Sequence, residues 1–79
     1  MTFKICAVGC GQHASAMHGP SLVRYATNRE GVELAACCDI DESKAAAYRE
    51  RFGFRRHFAD LDDMLRRETP DAVSLAVPP

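Results

Sequence analysis

The chain has 79 residues, 47% of them hydrophobic and 27% charged, and a formal net charge of −1. That bounds it to one small globular domain and gives no electrostatic case for nucleic acid or an anionic membrane as partner. No apolar run approaches the ~18 residues of a membrane span. Met1-Thr2-Phe3-Lys4 enters a strand at once, without the basic segment and apolar stretch of a signal peptide, so the cytoplasm is the expected compartment.

Phe3 to Val8 is apolar with little alternation, which predicts a first strand covered on both faces. Gly9-Cys10-Gly11-Gln12-His13-Ala14 follows, a G-x-G-x-x-A pattern. After a strand and before a helix this is the dinucleotide-binding fingerprint. Gly9 permits the tight turn, Gly11 lets a pyrophosphate approach the backbone, and Ala14 is small enough for the helix to pack on the strand. The helix start beyond it would offer free N–H groups and the positive end of its dipole. By itself the pattern is weak, since Gly-rich turns are common.

Pro20 lacks an N–H and clashes inside a helix, so a short helical turn is expected near 12–17 and a fresh helix from Pro20. Leu22, Val23 and Ala26 form its apolar face, and Asn28 to Gly31 end it. Val32 to Asp39 reads as the second strand, closing a β-α-β unit on an acidic residue 25 positions after Ala14. A carboxylate there is placed to accept hydrogen bonds from the adenosine ribose of NAD. The bland alternative is a cap or a solvated turn, but Asp41 is the better cap, which leaves Asp39 for the ribose.

Asp41 opens the second helix, Ala45, Tyr48 and Phe52 make its apolar stripe, and Gly53 stops it. Phe54 to Phe58 is a short third strand whose two arginines suit a solvated edge. Asp60 caps a third helix with Leu61, Met64 and Leu65 as its apolar face. Asp62 and Asp63 in its first turn and Arg66 and Arg67 in its last follow the helix dipole, so the acidic pair needs no catalytic explanation. Ala72 to Val77 is a fourth strand after the Thr69-Pro70-Asp71 turn.

Strands and helices alternate throughout, which predicts an α/β fold: a parallel sheet of four strands in the order 3-2-1-4 with flanking helices, a partial Rossmann dinucleotide-binding fold. The fourth strand is as apolar as the first and has no later element to cover or pair with it. Residues 1–79 are therefore expected to be the N-terminal part of a longer binding domain. Cys6, Cys10, Cys37 and Cys38 have neither C-x-x-C nor zinc-knuckle spacing. They read as buried packing residues, with no metal site; strand neighbours could bring Cys6 near Cys37 or Cys38.

These residues together resemble the Gfo/Idh/MocA oxidoreductases. The matching features are Ala7-Val8-Gly9-Cys10-Gly11, His18-Gly19-Pro20, Gly31-Val32-Glu33-Leu34, Cys38-Asp39-Ile40-Asp41, Phe52-Gly53, Asp60-Leu61 and Asp71-Ala72-Val73 through Val77-Pro78-Pro79. Order and spacing hold along essentially the whole chain. Ala14 departs from the usual third glycine, and His13 stands where many members carry an apolar residue.

The resemblance implies NAD as cofactor, with NADP possible, and hydride transfer at a carbon of a sugar, polyol or related alcohol. By carry-over, Gly9, Gly11, Gln12, His13 and Ala14 line the pyrophosphate, Asp39 and Ile40 meet the adenosine, and Val77 and Pro78 run along the cofactor. His18 carries no cofactor role. The family's catalytic lysine, in a Glu-Lys-Pro motif, and its substrate-binding domain would lie beyond Pro79. Lys4 and Lys44 are no substitutes, so no catalytic residue is assigned here. The complete enzyme is expected to be a homo-oligomer. Two other readings stay open: a non-enzymatic dinucleotide-binding module, and a methyltransferase-like fold with a Gly-rich first turn.

Overall fold

In the computed structural model, which describes residues 2–11 and 17–76, strands and helices alternate as the sequence predicts. The elements are β1 (Phe3–Val8), α1 (Gly19–Thr27), β2 (Val32–Cys38), α2 (Glu42–Phe52), β3 (Arg56–Phe58), α3 (Leu61–Glu68) and β4 (Ala72–Leu75). Every strand pairing is parallel, in the order β3-β2-β1-β4. Parallel β-α-β units cross over right-handed, and with this order that rule decides which face each helix covers. β1 to β2 to β3 steps one way across the sheet and β3 to β4 steps back, so α1 and α2 share one face and α3 takes the other.

Two apolar cores result. On the first face Ile5, Ala7, Cys10, Leu34 and Cys37 meet Ala45, Tyr48 and Phe52 of α2, with Leu22, Val23 and Ala26 of α1 packed alongside. On the second face Cys6, Ala36 and Cys38 meet Met64 of α3. A bulge sorts these residues. Ile5 pairs with Leu34, but Cys6 pairs with Ala36, so Ala35 is skipped in the register. That extra residue reverses the alternation of β2, which is why Leu34 and Cys37, three apart, reach the same core.

Local signals act where the residues suggest. Asp41 accepts from the N–H groups of Ser43 and Lys44, and Asp60 from those of Asp62 and Asp63. Gly53 closes α2. α1 begins one residue earlier than expected, at Gly19, with Pro20 in its first turn. A Cβ at position 19 would overlap the Phe52 ring, so the start of α1 sits directly on that ring.

α3 corrects the sequence reading. It buries Met64 and Glu68, while Leu61 (41% exposed) and Leu65 (36%) lie on its open flank. The cause is electrostatic. Glu68 is bound through both carboxylate oxygens by Arg56 at the start of β3, and Lys4 Nζ, at the start of β1, donates to its main-chain carbonyl. These bonds turn the Met64–Glu68 stripe inward at the expense of the leucines. Burying a carboxylate is tolerable only with such partners, which hold its pKa below the usual range.

The last two strands are shorter than predicted. β3 spans three residues rather than five, and β4 ends at Leu75, although the Ala76 N–H still bonds the Val8 carbonyl at 2.9 Å. On β4, Val73 and Leu75 are exposed. Among the described residues no helix is long and apolar enough to cross a membrane.

Candidate functional site: the glycine turn and the end of the second strand

β1 and β2 run parallel, so their C-terminal ends fall together, at Val8 and Cys38. The chain leaves β1 through Gly9, whose φ of 94° lies in the region closed to most side chains. Its N–H donates to the Cys38 carbonyl at 2.8 Å, which fastens the turn to β2. Among the described residues, a Cβ at Gly11 would meet no heavy atom within 4 Å. No described residue crowds the backbone there, and close approach to a glycine backbone is what a cradle for a bulky anion requires.

Asp39 stands directly beside this turn. One carboxylate oxygen, Oδ2, accepts the Cys10 N–H at 2.9 Å; the other, Oδ1, accepts the Asp41 N–H at 2.9 Å. The side chain therefore tightens the glycine turn and starts the approach to α2. Each oxygen has further acceptor capacity, and the residue is only partly buried. Sequence reasoning placed Asp39 at the end of β2 beside the glycine turn but missed the turn bonds to Cys10 and Asp41 that the structure gives it, because a G-x-G spacing carries no information about what the middle residue touches.

Of the predicted cofactor residues, the structure brings together Gly9, Gly11 and Asp39. Ile40 follows Asp39 and is 94% exposed, an apolar side chain with no packing of its own. Gln12, His13, Ala14, Val77 and Pro78 lie outside the described residues.

All four cysteines are free and buried. Cys6 and Cys38 do share a core, as adjacent strands suggested. The pairing not foreseen is Cys10 with Cys37 on the opposite face. Burial pushes the Cys6 thiol up to about 11. No group of three His, Cys, Asp or Glu among the described residues could hold a metal ion.

An open groove of about 370 Å³ runs along β3, lined by Arg49, Arg55, Arg56, His57, Phe58 and Arg67. Its arginines already have partners. Arg49 donates to the Arg55 carbonyl, Arg55 pairs with Glu33, Arg56 with Glu68 and Arg67 with Asp63. Arg49 and Arg67 also sit in the last turns of α2 and α3, where the helix dipole favours cations. The groove is explained by stability, as a solvated basic edge.

Residues 3–79 match the Gfo/Idh/MocA family, described as an oxidoreductase family with an NAD-binding Rossmann fold. A curated relative, the D-glucoside 3-dehydrogenase of Escherichia coli (strain K12), is 33% identical over 75 residues, covering 95% of this chain and 20% of that protein. The WlbA dehydrogenase of Chromobacterium violaceum, crystallised with NADH and UDP-GlcNAcA, superposes with a TM-score of 0.77 at 36% identity, over 98% of this chain and 21% of the other. Scyllo-inositol dehydrogenase from Lactobacillus casei, solved with NAD(H) and scyllo-inositol, gives 0.74 at 26% identity, over 99% and 22%. The chain thus spans about a fifth of the length of these relatives. The glycine turn, the carboxylate at the end of β2 and this match agree: the chain belongs to the Gfo/Idh/MocA oxidoreductases and has their NAD-binding Rossmann fold.

Proposed function

We propose that residues 1–79 hold the pyrophosphate and adenosine of a nicotinamide dinucleotide for an enzyme that transfers hydride at a carbon of a sugar, polyol or related alcohol. The observation that carries this is the Asp39–Cys10 hydrogen bond, 2.9 Å long, which joins the carboxylate to the open glycine turn. A ribose hydroxyl meeting Asp39 would donate into acceptor capacity the backbone leaves unused. Gly9 and Gly11 receive the pyrophosphate, with Gln12, His13 and Ala14 completing the cradle. Ile40 offers its exposed side chain to the adenine, and Val77 and Pro78 flank the cofactor. When bound, the dinucleotide supplies the hydride acceptor.

NAD is preferred over NADP. A 2′-phosphate beside Asp39 would be repelled, and position 40 carries isoleucine where an arginine could neutralise it. The proton that leaves the alcohol needs a positioned base. Lys4 is committed to Glu68 at the far end of the sheet, and Lys44 is exposed on α2. The base, and the surface that selects the sugar, are therefore assigned to parts of the enzyme beyond these 79 residues, with the complete enzyme a homo-oligomer.

The test is a fluorescence titration of this chain with NADH and NADPH. Tighter binding of NADH is expected. Tighter NADPH binding overturns the assignment of Asp39, and binding of neither overturns the cradle.

A further inference from the structure

Cys10 is the middle residue of the glycine turn, yet its side chain is directed into the protein. It is 5% exposed and belongs to the core that Ala45, Tyr48 and Phe52 of α2 form with Ile5, Leu34 and Cys37 of the sheet. Gly9 and Cys10 together make three bonds to the end of β2. The Gly9 N–H donates to the Cys38 carbonyl at 2.8 Å, the Cys10 thiol donates to the same carbonyl at 3.5 Å, and the Cys10 N–H donates to Asp39 Oδ2 at 2.9 Å. The turn is thus clasped along its backbone and rests on the core through one side chain. Gly9 and Gly11, on either side, have no side chain to share that task.

The bulge at Ala35 is what lets the clasp close. Ile5 pairs with Leu34, so regular pairing from there would set Val8 against Cys37. Asp39 would then stand one residue beyond the turn, with its side chain on the opposite face of the sheet. The extra residue in β2 instead brings Cys38 level with Val8 and turns the Asp39 carboxylate to the Cys10 N–H.

We propose that Cys10 is a positioning residue for the dinucleotide. Its buried side chain sets the depth at which the glycine turn lies on the core, and its N–H ties that turn to Asp39, so that ribose and pyrophosphate are received by one unit. Cys10 acts from beneath, through Gly9, Gly11 and Asp39, and this role rests on the cofactor reading given above. The physical basis is packing. A core at native density has no room for added carbons, so a larger side chain at position 10 must displace something. Below it lie two central strands and α2, held by ladder bonds and a shared core; above it is a turn held by the clasp alone among the described residues. The turn is the softer partner and is lifted. Lifting it draws the Cys10 N–H away from Asp39 and moves the Gly9 and Gly11 backbone against which the pyrophosphate lies.

The experiment is an NADH titration of the parent, Cys10→Val, Cys10→Leu and Met64→Val, with urea unfolding of each. The Kd should rise with the size of residue 10, at least about threefold for valine and about tenfold for leucine. Met64→Val hollows the core on the other face of the sheet, so it should lower the unfolding midpoint and leave the NADH Kd within about twofold. A folded Cys10→Leu whose Kd stays within about twofold of the parent overturns the proposal, and Cys10→Val decides in the same way if the leucine variant does not fold. A Kd that rises as much in Met64→Val as in the Cys10 variants overturns it too, because binding would then merely follow stability. Amide hydrogen exchange of the unliganded protein reads the clasp without any cofactor. The Gly9 and Cys10 amides should be protected in the parent and exchange at least about tenfold faster in Cys10→Val. Unprotected amides at both positions in the parent mean there is no clasp, and the proposal falls. Protected amides in a parent that binds no NADH would instead overturn the cofactor reading, and with it the role of Cys10 toward the dinucleotide, while the clasp stands as a folding contact.

Discussion

Asp39→Asn is the sharpest perturbation of the site, because it keeps the shape of the side chain and removes its charge and half of its accepting capacity. In the parent, the two oxygens each take a backbone N–H at 2.9 Å, from Cys10 and from Asp41. An amide has one oxygen, so one of those N–H groups must face an NH₂ and lose its partner. A hydrogen bond to a charged group contributes about 1.5–3 kcal/mol when buried, and Asp39 is partly open to water, so about 1 kcal/mol is assigned to the lost turn contact. Loss of the charge beneath a ribose hydroxyl weakens that contact by about 1 kcal/mol more. The sum, about 2 kcal/mol, corresponds to a rise of roughly 30-fold in the NADH Kd. NADPH should change less than about fivefold, since the variant also removes the repulsion of its 2′-phosphate, so the preference between the two narrows. Isothermal titration of both dinucleotides, with circular dichroism to verify folding, measures this. A folded variant whose NADH Kd stays within about threefold of the parent would refute the role given to Asp39.

Three further outcomes concern stability. Glu68→Gln should cost about 2 kcal/mol in urea unfolding at pH 7, because Arg56 loses its charged partner. The pKa of Glu68 is depressed in the folded state, so its contribution is present above the ordinary value of 4.5 and disappears as pH falls through the lower folded value. The gap between parent and variant should therefore shrink on acidification; a gap constant with pH contradicts the ion-pair account. Thr69 closes α3 at φ 43°, a left-handed conformation unfavourable for a β-branched residue, and Thr69→Gly should stabilise by about 0.5–1 kcal/mol in a thermal melt. Gly19→Ala should destabilise by about 1–2 kcal/mol through overlap with Phe52, and pairing it with Phe52→Leu should recover most of that loss in a double-mutant cycle.

What was legible in the sequence was local or periodic. The caps at Asp41 and Asp60 and the stop at Gly53 depend on residues within a turn of one another, so residue type alone locates them. The order β3-β2-β1-β4 follows from alternation and crossover handedness. That Gly9, Gly11 and Asp39 lie together was legible because they follow the C-terminal ends of adjacent parallel strands. The bulge at Ala35 was not: Leu34-Ala35-Ala36-Cys37-Cys38 is apolar at every position, so no alternation marks where the register slips. The pairing of Cys10 with Cys37 depends on that slip and was hidden with it. The orientation of α3 was hidden for a different reason. Leu61 and Leu65 looked like its core face, but three partners distant in sequence, Lys4, Arg56 and Glu68, decide its rotation together.

The two ends of the sheet are built on different principles, and this separates stability from binding. At the N-terminal ends of the strands, Glu68 gathers Arg56 and Lys4, Asp71 Oδ2 accepts the Lys4 N–H at 2.8 Å, and Arg55 reaches Glu33 at 3.2 Å. These are side-chain contacts between elements far apart in sequence, and they fix how the helices lie on the sheet. At the C-terminal ends the contacts among the described residues run mostly from backbone N–H groups: Gly9 to Cys38, Cys10 and Asp41 to Asp39. Among the described residues this turn is fastened by short backbone and carboxylate contacts rather than by long side chains. The two ends should accordingly respond independently. Glu68→Gln should lower stability by about 2 kcal/mol while leaving the NADH Kd of the folded protein within about twofold, and Asp39→Asn should weaken binding about 30-fold while costing the melt only the roughly 1 kcal/mol of its turn contact. If Glu68→Gln weakened NADH binding as much as Asp39→Asn, the rigidity of the lower end would have to be counted as part of the cofactor site.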